Sequence, residues 1–181
     1  SHRTEWGSSA PPLYVEKERR LASGEEYCDL ACTTPTSVGL RLPIEQIAEA
    51  ISQSELWREY HPDPLGDRQA RIALSRFYSK WGEKTSPDRI VLASSTSEIY
   101  SWLFQVLCNP GETVLIPTPG YPLFEEIAAL SCVKTEKAPI ERCGGRWIFP
   151  VASWRLPAKC RALIVVSPHN PTGAEPTESE W

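Results

Sequence analysis

Apolar and polar positions in the second half of the chain follow two patterns that alternate. Continuous apolar runs without apolar–polar alternation favour strands that are buried on both faces, as in a parallel sheet. These runs lie at 90–93, 113–116 and 162–166, with a further strand predicted at 133–138. Between them, apolar residues at helical spacing predict helices near 98–107 and 124–128. Strands alternating with helices predict an α/β fold, a three-layer αβα arrangement around a mostly parallel sheet.

Helical patterns also occur in the first half of the chain. We predict a short charged helix at 13–22 that Gly24 stops, a helix that Pro43 opens, and a third that ends at Gly82. Apolar stripes on the helices are interpreted as core. The predicted core positions are Ile44, Ile47, Ala48, Ile51, Ala70, Ala73, Leu74, Phe77, Tyr78, Trp81, Ile99, Trp102, Leu103, Val106 and Leu107.

Composition excludes several classes of protein. Apolar residues make up 41% of the 181 residues and the net charge is −4, so no basic patch indicates nucleic-acid binding. No apolar run approaches the roughly 20 residues of a membrane span, and the amino terminus lacks the apolar core of a signal peptide. The six cysteines form no C-x-x-C pair, which favours reduced, buried thiols in a cytoplasmic protein and no metal site.

Three polar turns are predicted to follow the carboxyl ends of buried strands, at 94–97, 118–121 and 167–170. Because these ends meet at one edge of a parallel sheet, the turns should converge on one rim. The tight turn at 94–97 opens a helix, whose first N–H groups and dipole favour an anion. Tyr121 and Asn170, each next to prolines, offer a flat ring and an amide. An ordinary helix cap, a packing tyrosine and an Asn that bonds its own backbone remain the alternatives.

The string Ser-Pro-His-Asn-Pro-Thr-Gly at 167–173 resembles the signature of the class I/II, fold type I aminotransferases, which use pyridoxal 5'-phosphate (PLP). The resemblance implies that Asn170 hydrogen-bonds the 3'-oxygen of the cofactor and that Tyr121 stacks on its ring. Ser94-Ser95-Thr96 resembles the family's phosphate cup, with backbone N–H donors at Ser95 and Thr96 and with Ser95 where glycine is usual. Tyr60 would reach the phosphate bound by a partner subunit, which implies a homodimer.

The resemblance covers nearly the whole chain, including 27–40, where Thr34 replaces the familiar Asn. It implies that 1–42 is an amino-terminal arm or small-domain segment and that 43–181 is the amino-terminal part of a truncated PLP-binding large domain. The parent would exchange an amino group between an amino acid and a 2-oxo acid. An incomplete large domain is also expected to expose apolar surface.

The family's Schiff-base lysine, pyridine-nitrogen aspartate and carboxylate-binding arginine follow the Asn-Pro-Thr-Gly string, so the resemblance places them outside this chain. Lysines occur at 17, 80, 84, 134, 137 and 159, and none follows a strand in the required setting. We therefore name no catalytic residue and expect the chain alone to be inactive. A PLP-dependent lyase or synthase of the same fold, a non-catalytic sensor domain and a truncated inactive product remain alternatives.

Overall fold

The computed structural model describes residues 10–30, 33–54 and 58–180. Within these ranges the chain divides into two compact units, 10–92 and 93–180, which are described separately. The predicted boundary between residues 42 and 43 concerns the complete large domain and stays a prediction.

The unit 10–92 is helical. Its helices are α1 (Pro12–Ser23), α2 (Ile44–Gln53) and α3 (Arg68–Ser79), with short 3-10 turns at Pro35–Val38 and Pro87–Arg89. Gly24 ends α1 with a left-handed φ of 69°, a conformation that glycine adopts without strain. The Asp67 side chain caps α3 by accepting the Ala70 N–H at 2.8 Å. The three helices predicted here are confirmed.

A buried arginine holds the loop before α3. Arg71, 3% exposed, donates to the Gly66 and Pro87 carbonyl oxygens at 2.9 Å each and pairs with the Asp63 carboxylate at 2.9 Å. Gly66 has a φ of +88°, and an added Cβ there would lie 2.5 Å from the Cβ of Leu92. The loop therefore requires glycine both for its backbone conformation and for space.

The unit 93–180 contains the predicted parallel sheet. Its helices are α4 (Thr96–Leu107) and α5 (Leu123–Leu130), and its strands are β1 (Thr113–Thr118), β2 (Lys134–Pro139), β3 (Glu141–Cys143), β4 (Arg146–Ile148) and β5 (Cys160–Leu163). The sheet has the order β2-β1-β5, and β1 runs parallel to both neighbours. β3 and β4 form a separate antiparallel hairpin. The α/β class with a mostly parallel sheet is confirmed.

The core of this unit lies around the central strand. β1 is buried along almost its whole length, as its uninterrupted apolar run predicts. Phe104 of α4 and Phe124 and Ala128 of α5 cover it, and Tyr100 and Tyr121 pack at the edge of this cluster. A second cluster contains Ile140, Phe149 and Ala174.

Two predictions about strands and helix faces are wrong. Residues 90–93 pair with no strand in the described part of the chain; the Leu92 N–H instead bonds the Leu65 carbonyl at 2.9 Å. On α4, Phe104 is buried while Val106 is 81% exposed. The apolar residues of α4 cover more than half of its circumference, so the pattern does not show which part of that wide face is buried. Other predicted core positions that are exposed are Ile44, Ile47, Ala48, Ile51, Ala73, Phe77, Tyr78, Trp81, Trp102, Leu103 and Leu107.

The physical reason is that an amphipathic stripe is buried only where a second layer packs on it. Among residues described in 10–92, Arg71 is the buried side chain, and no apolar side chain there is buried. The expected exposure of apolar surface is thus observed. The thiol prediction is also wrong in part, because Cys28, Cys132 and Cys143 are exposed and only Cys108 is buried among the described cysteines.

No described helix combines the length and apolar character that crossing a membrane requires. Within the described ranges, no group of three or more His, Cys, Asp or Glu side chains could hold a metal ion.

Candidate cofactor site

A pocket of about 210 Å³ lies where α4 begins, β1 ends and the loop after β5 turns. It is lined by Thr96, Tyr100, Tyr121, Phe124, Val166 and Asn170. All of these residues belong to the unit 93–180. Hydroxyl, aromatic and amide groups thus face one small volume.

The amino terminus of α4 is held by a reciprocal set of hydrogen bonds. Ser95 caps the helix by accepting the Glu98 N–H at 3.2 Å. The Glu98 carboxylate in turn accepts the Ser94 N–H at 2.8 Å and the Ser94 hydroxyl at 2.6 Å. These bonds hold the pKa of Glu98 below its usual range. The first N–H groups of a helix have no partner within it. Because the cap takes the Glu98 N–H, the Thr96 and Ser97 N–H groups are the helix donors that this turn can offer to an anion.

Ser95 is extended, with φ −160° and ψ 162°. Any residue adopts this conformation, so serine is accommodated here without backbone strain. Its side chain is occupied by the cap, and Thr96 is the residue of this turn that lines the pocket.

The position of Tyr121 is fixed at both ends of its ring. Its hydroxyl lies 3.3 Å from the Ser97 hydroxyl of α4. Its ring packs edge-on against Phe124, with centroids 5.3 Å apart and planes at 81°. The turn before it requires Gly120, because an added Cβ would collide with the Pro117 carbonyl oxygen.

Tyr100, Phe124 and Val166 line the pocket without having been predicted as site residues. Tyr100 packs edge-on against Phe124, with centroids 4.9 Å apart. Burial and the neighbouring Tyr121 raise the pKa of Tyr100. The spacing of Tyr100, Phe104 and Cys108, one every four residues, is the signal that could have identified this face of α4.

The loop after β5 brings Asn170 to the pocket. The Ile164 N–H still bonds the Leu115 carbonyl at 2.9 Å, which extends the pairing to β1 by one residue. Val166 then lines the pocket, His169 is buried, and Asn170 is exposed at the pocket wall. Peptide bonds preceding Pro168 and Pro171 are cis, as is the bond preceding Pro119.

The structure therefore brings together Thr96, Tyr121 and Asn170, one from each of the three predicted turns. Ser95 is adjacent to Thr96 in the cap. Tyr60 lies in the other unit, and its side chain is 90% exposed. No lysine of the described chain lines this pocket.

Comparison with known proteins decides the family. The family model described as "Aminotransferase class I and II" matches residues 25–181. The chain belongs to this family.

Several curated proteins are similar to this chain in sequence. It is 27% identical to the "Glutamate-pyruvate aminotransferase AlaA" of Haemophilus influenzae, over 90% of this chain and 41% of the relative. It is 31% identical to the "Tyrosine aminotransferase" of Caenorhabditis elegans, over 76% of this chain and 31% of that protein. The chain thus spans well under half the length of these aminotransferases.

Solved aminotransferase structures share the fold. An aspartate aminotransferase variant from Thermus thermophilus matches with a TM-score of 0.78 at 20% identity, over 99% of this chain and 47% of that one. The "Alanine aminotransferase" from Pyrococcus furiosus matches with a TM-score of 0.72 at 22% identity, over 91% of this chain and 43% of that one. The aminotransferase fold is therefore present in part.

Proposed function

We propose that this chain is part of a PLP-dependent aminotransferase and that it supplies the cofactor's phosphate, ring and 3'-oxygen contacts. The observation that carries the proposal is the single pocket lined by Thr96, Tyr121 and Asn170, which come from three separate turns. The relatives include a protein named glutamate-pyruvate aminotransferase and one named alanine aminotransferase, and these names support this class over a lyase or a sensor.

The chemistry of the lining groups fits PLP. The phosphate is a dianion, and the opening turn of α4 offers N–H and hydroxyl donors at the positive end of the helix. The cofactor's pyridine ring is flat, which suits the ring face of Tyr121. The 3'-oxygen is a hydrogen-bond acceptor, and the Asn170 amide is a donor at the same pocket.

Each of these residues then has its own contact with the cofactor. Backbone groups of Ser95 and Thr96 bind the phosphate, Tyr121 orients the ring, and Asn170 donates to the 3'-oxygen. Bound PLP supplies an electron sink for amino-group transfer. Phe124 packs against the rings of both Tyr100 and Tyr121, and so holds Tyr121 in place beside the pocket.

Two parts of the proposal concern the parent protein. Tyr60 would contact a phosphate bound by a second subunit, so the parent would be a homodimer in the cytoplasm acting on small-molecule substrates. The lysine that moves the proton would lie outside this chain, as the family resemblance implies, and no described lysine lines the pocket. The chain alone is then expected to be inactive, which an assay with an amino acid, a 2-oxo acid and PLP would test.

Binding is best tested with pyridoxine 5'-phosphate, which keeps the phosphate, ring and 3'-oxygen but has no aldehyde to react with surface lysines. Titration by calorimetry should show saturable binding of the 181-residue chain. Asn170→Ala should weaken it by about two- to tenfold, the value of one hydrogen bond. Asn109→Ala, which removes an amide that bonds Glu112 outside the pocket, is the matched control and should bind normally. No saturable binding, or equal affinities for both variants, would refute the proposal.

A further inference from the structure

His169 is a buried titratable group with no task in the proposed chemistry. Its side chain is 2% exposed, and its Nδ1 lies 2.9 Å from the Thr172 hydroxyl. Its ring meets Phe149 edge-on, with centroids 5.9 Å apart and planes at 80°. Its Nε2 has no hydrogen-bond partner among the described residues.

The loop that carries Asn170 closes on this histidine. The His169 N–H donates to the Ala174 carbonyl at 2.7 Å, and the Gly173 N–H donates to the His169 carbonyl at 2.6 Å. The Thr172 hydroxyl, which contacts the His169 ring, also accepts the Ala174 N–H at 3.3 Å. Both the backbone and the ring of His169 thus fix the loop, and the next residue, Asn170, lines the pocket.

The surroundings of the ring favour its neutral form. The elements around the ring contribute an apolar cluster of Ile140, Phe149 and Ala174, against which Trp147 and Trp154 pack. Burial lowers the pKa of His169, and no charged side chain contributes to that shift. The cluster is formed by Val165 and by the segments 140–149, 154–155 and 174–180. The charged residues on these segments are Glu141, Arg142, Arg146, Arg155, Glu175, Glu178 and Glu180. Of these, Glu180 pairs with Arg146 at 2.6 Å and accepts the Phe149 N–H.

A protonated ring would not be satisfied at this position. Both ring nitrogens of the imidazolium are donors. The Thr172 oxygen can accept one of them, but Nε2 has no acceptor in the described part of the chain. A charge buried without a partner favours any state that returns it to water.

We propose that the neutral ring of His169 stabilises the observed, closed conformation of the 167–174 loop and so holds Asn170 at the pocket. Protonation of the ring would open the loop. We call the contacts of His169 that keep the loop closed the latch. The latch is inferred from contacts within the loop alone, whereas its effect on cofactor affinity rests on the proposed function.

The direction of the pH effect follows from linkage. The closed loop binds the proton more weakly than the open loop, whose histidine has the ordinary pKa of 6.5. The latch is therefore fully stable above pH 6.5 and weakens as the pH falls from 6.5 toward the lowered pKa of the closed form. Glu98 and Glu180, whose pKa values lie below 4.5, stay ionised between pH 5 and 8.

The test is a two-dimensional NMR titration of the full chain between pH 8 and 5. We expect the His169 ring and the amides of Gly173 and Ala174 to change with one shared midpoint below 6.5, with faster hydrogen exchange of those amides at the acid end. If the ring titrates while the loop amides keep their shifts and protection, the latch is refuted.

His169→Asn is the matched variant, because its amide can replace Nδ1 beside Thr172 but does not titrate. We expect its loop amides to remain protected down to pH 5. The control is His61→Asn, which removes an exposed imidazole and should leave the transition of the loop unchanged. A loop transition that persists in His169→Asn with the wild-type midpoint would overturn the proposal. If His169→Asn disturbs the loop already at pH 8, the proposal is still tested in the wild type, where the titration midpoint of the His169 ring is compared with that of the loop amides.

Affinity for pyridoxine 5'-phosphate separates the two proposals. If both hold, affinity falls between pH 6.5 and 5 in the wild type more steeply than in His169→Asn, in which only the ligand's own titration remains. If the loop opens in the NMR titration but the ligand does not bind at pH 8, the latch stands and the proposed function fails. If the ligand binds with the same pH profile in both proteins, the consequence for the pocket is refuted.

Discussion

Gly120→Ala tests whether the turn after β1 controls the ring that lines the pocket. Gly120 does not have a positive φ, so its requirement is for space and not for a left-handed backbone. An added Cβ would collide with the Pro117 carbonyl oxygen and would lie 3.2 Å from the carbonyl carbon of Pro117. A backbone atom cannot rotate away as a flexible side chain does, so the turn itself must shift by several tenths of an ångström.

The magnitude follows in two parts. Overpacking of this kind costs about 1 to 3 kcal/mol of folding free energy. Tyr121 is the next residue, so the shift also moves its ring away from Ser97 and Phe124. An aromatic contact is worth about 0.5 to 1.5 kcal/mol, so loss of the ring's alignment should weaken pyridoxine 5'-phosphate binding by about two- to tenfold.

The assay combines urea denaturation, followed by tryptophan fluorescence, with calorimetric titration. Gly145→Ala is the matched control: Gly145 has a φ of +83° in the β3–β4 turn, and nothing lies within 4 Å of its added Cβ. Alanine there costs about 1 to 2 kcal/mol through backbone strain and should leave affinity unchanged. A Gly120→Ala protein with wild-type affinity would refute the inferred control of Tyr121 by this turn.

Three further predictions concern the scaffold. Arg71→Met should lower the free energy of unfolding by at least about 2 kcal/mol, because two carbonyl oxygens and a carboxylate lose their donor; Arg68→Met, on the exposed face of α3, is the control in urea denaturation. Phe104→Ala should lower the free energy of unfolding by about 3 to 5 kcal/mol, while Val106→Ala should change it by no more than about 0.5 kcal/mol. Equal losses in the two variants would show that the buried face of α4 is assigned wrongly. Hydrogen bonds from Thr177 lower the pKa of Glu180 to about 2, so its stabilisation is present above pH 4.5 and is lost as the pH falls toward 2. The melting temperature of Glu180→Gln should therefore fall less steeply than that of the wild type between pH 4.5 and 2.

The turns of the site could be predicted from the sequence because their residues have special local chemistry. Pro119 directly follows β1, Pro168 and Pro171 lie on either side of Asn170 in the loop after β5, and Ser95 caps the first turn of α4. Convergence of the turns after β1 and β5 follows from parallel strand order. The turn at 94–97 follows no strand of the sheet and reaches the pocket as the start of α4, where Thr96 meets Tyr121 and Asn170. The cofactor roles given to these residues stay predictions.

Burial could not be predicted in the same way. A periodic pattern shows which side of a helix is apolar, but not which neighbour covers it. The stripe of α2, including Ile47, meets no second layer among the described residues of its unit. α4 has apolar residues on most sides, so Phe104 and Val106 look alike in sequence although only Phe104 is buried. His169 lies among polar and proline residues, and nothing in the sequence indicates that its ring is buried.

The pocket takes its shape from contacts that lie within each turn. Ser95 bonds Glu98 three residues later, the space at Gly120 is limited by the carbonyl three residues before it, and His169 contacts Thr172 within the same loop. None of these contacts involves a lysine or any group beyond the unit 93–180. The pocket proposed for the cofactor is therefore preformed in the unit 93–180, and the lysine that proton transfer would need under the proposed function does not line it. It follows that binding and turnover should be separable: the chain should hold the phosphorylated ring without converting a substrate.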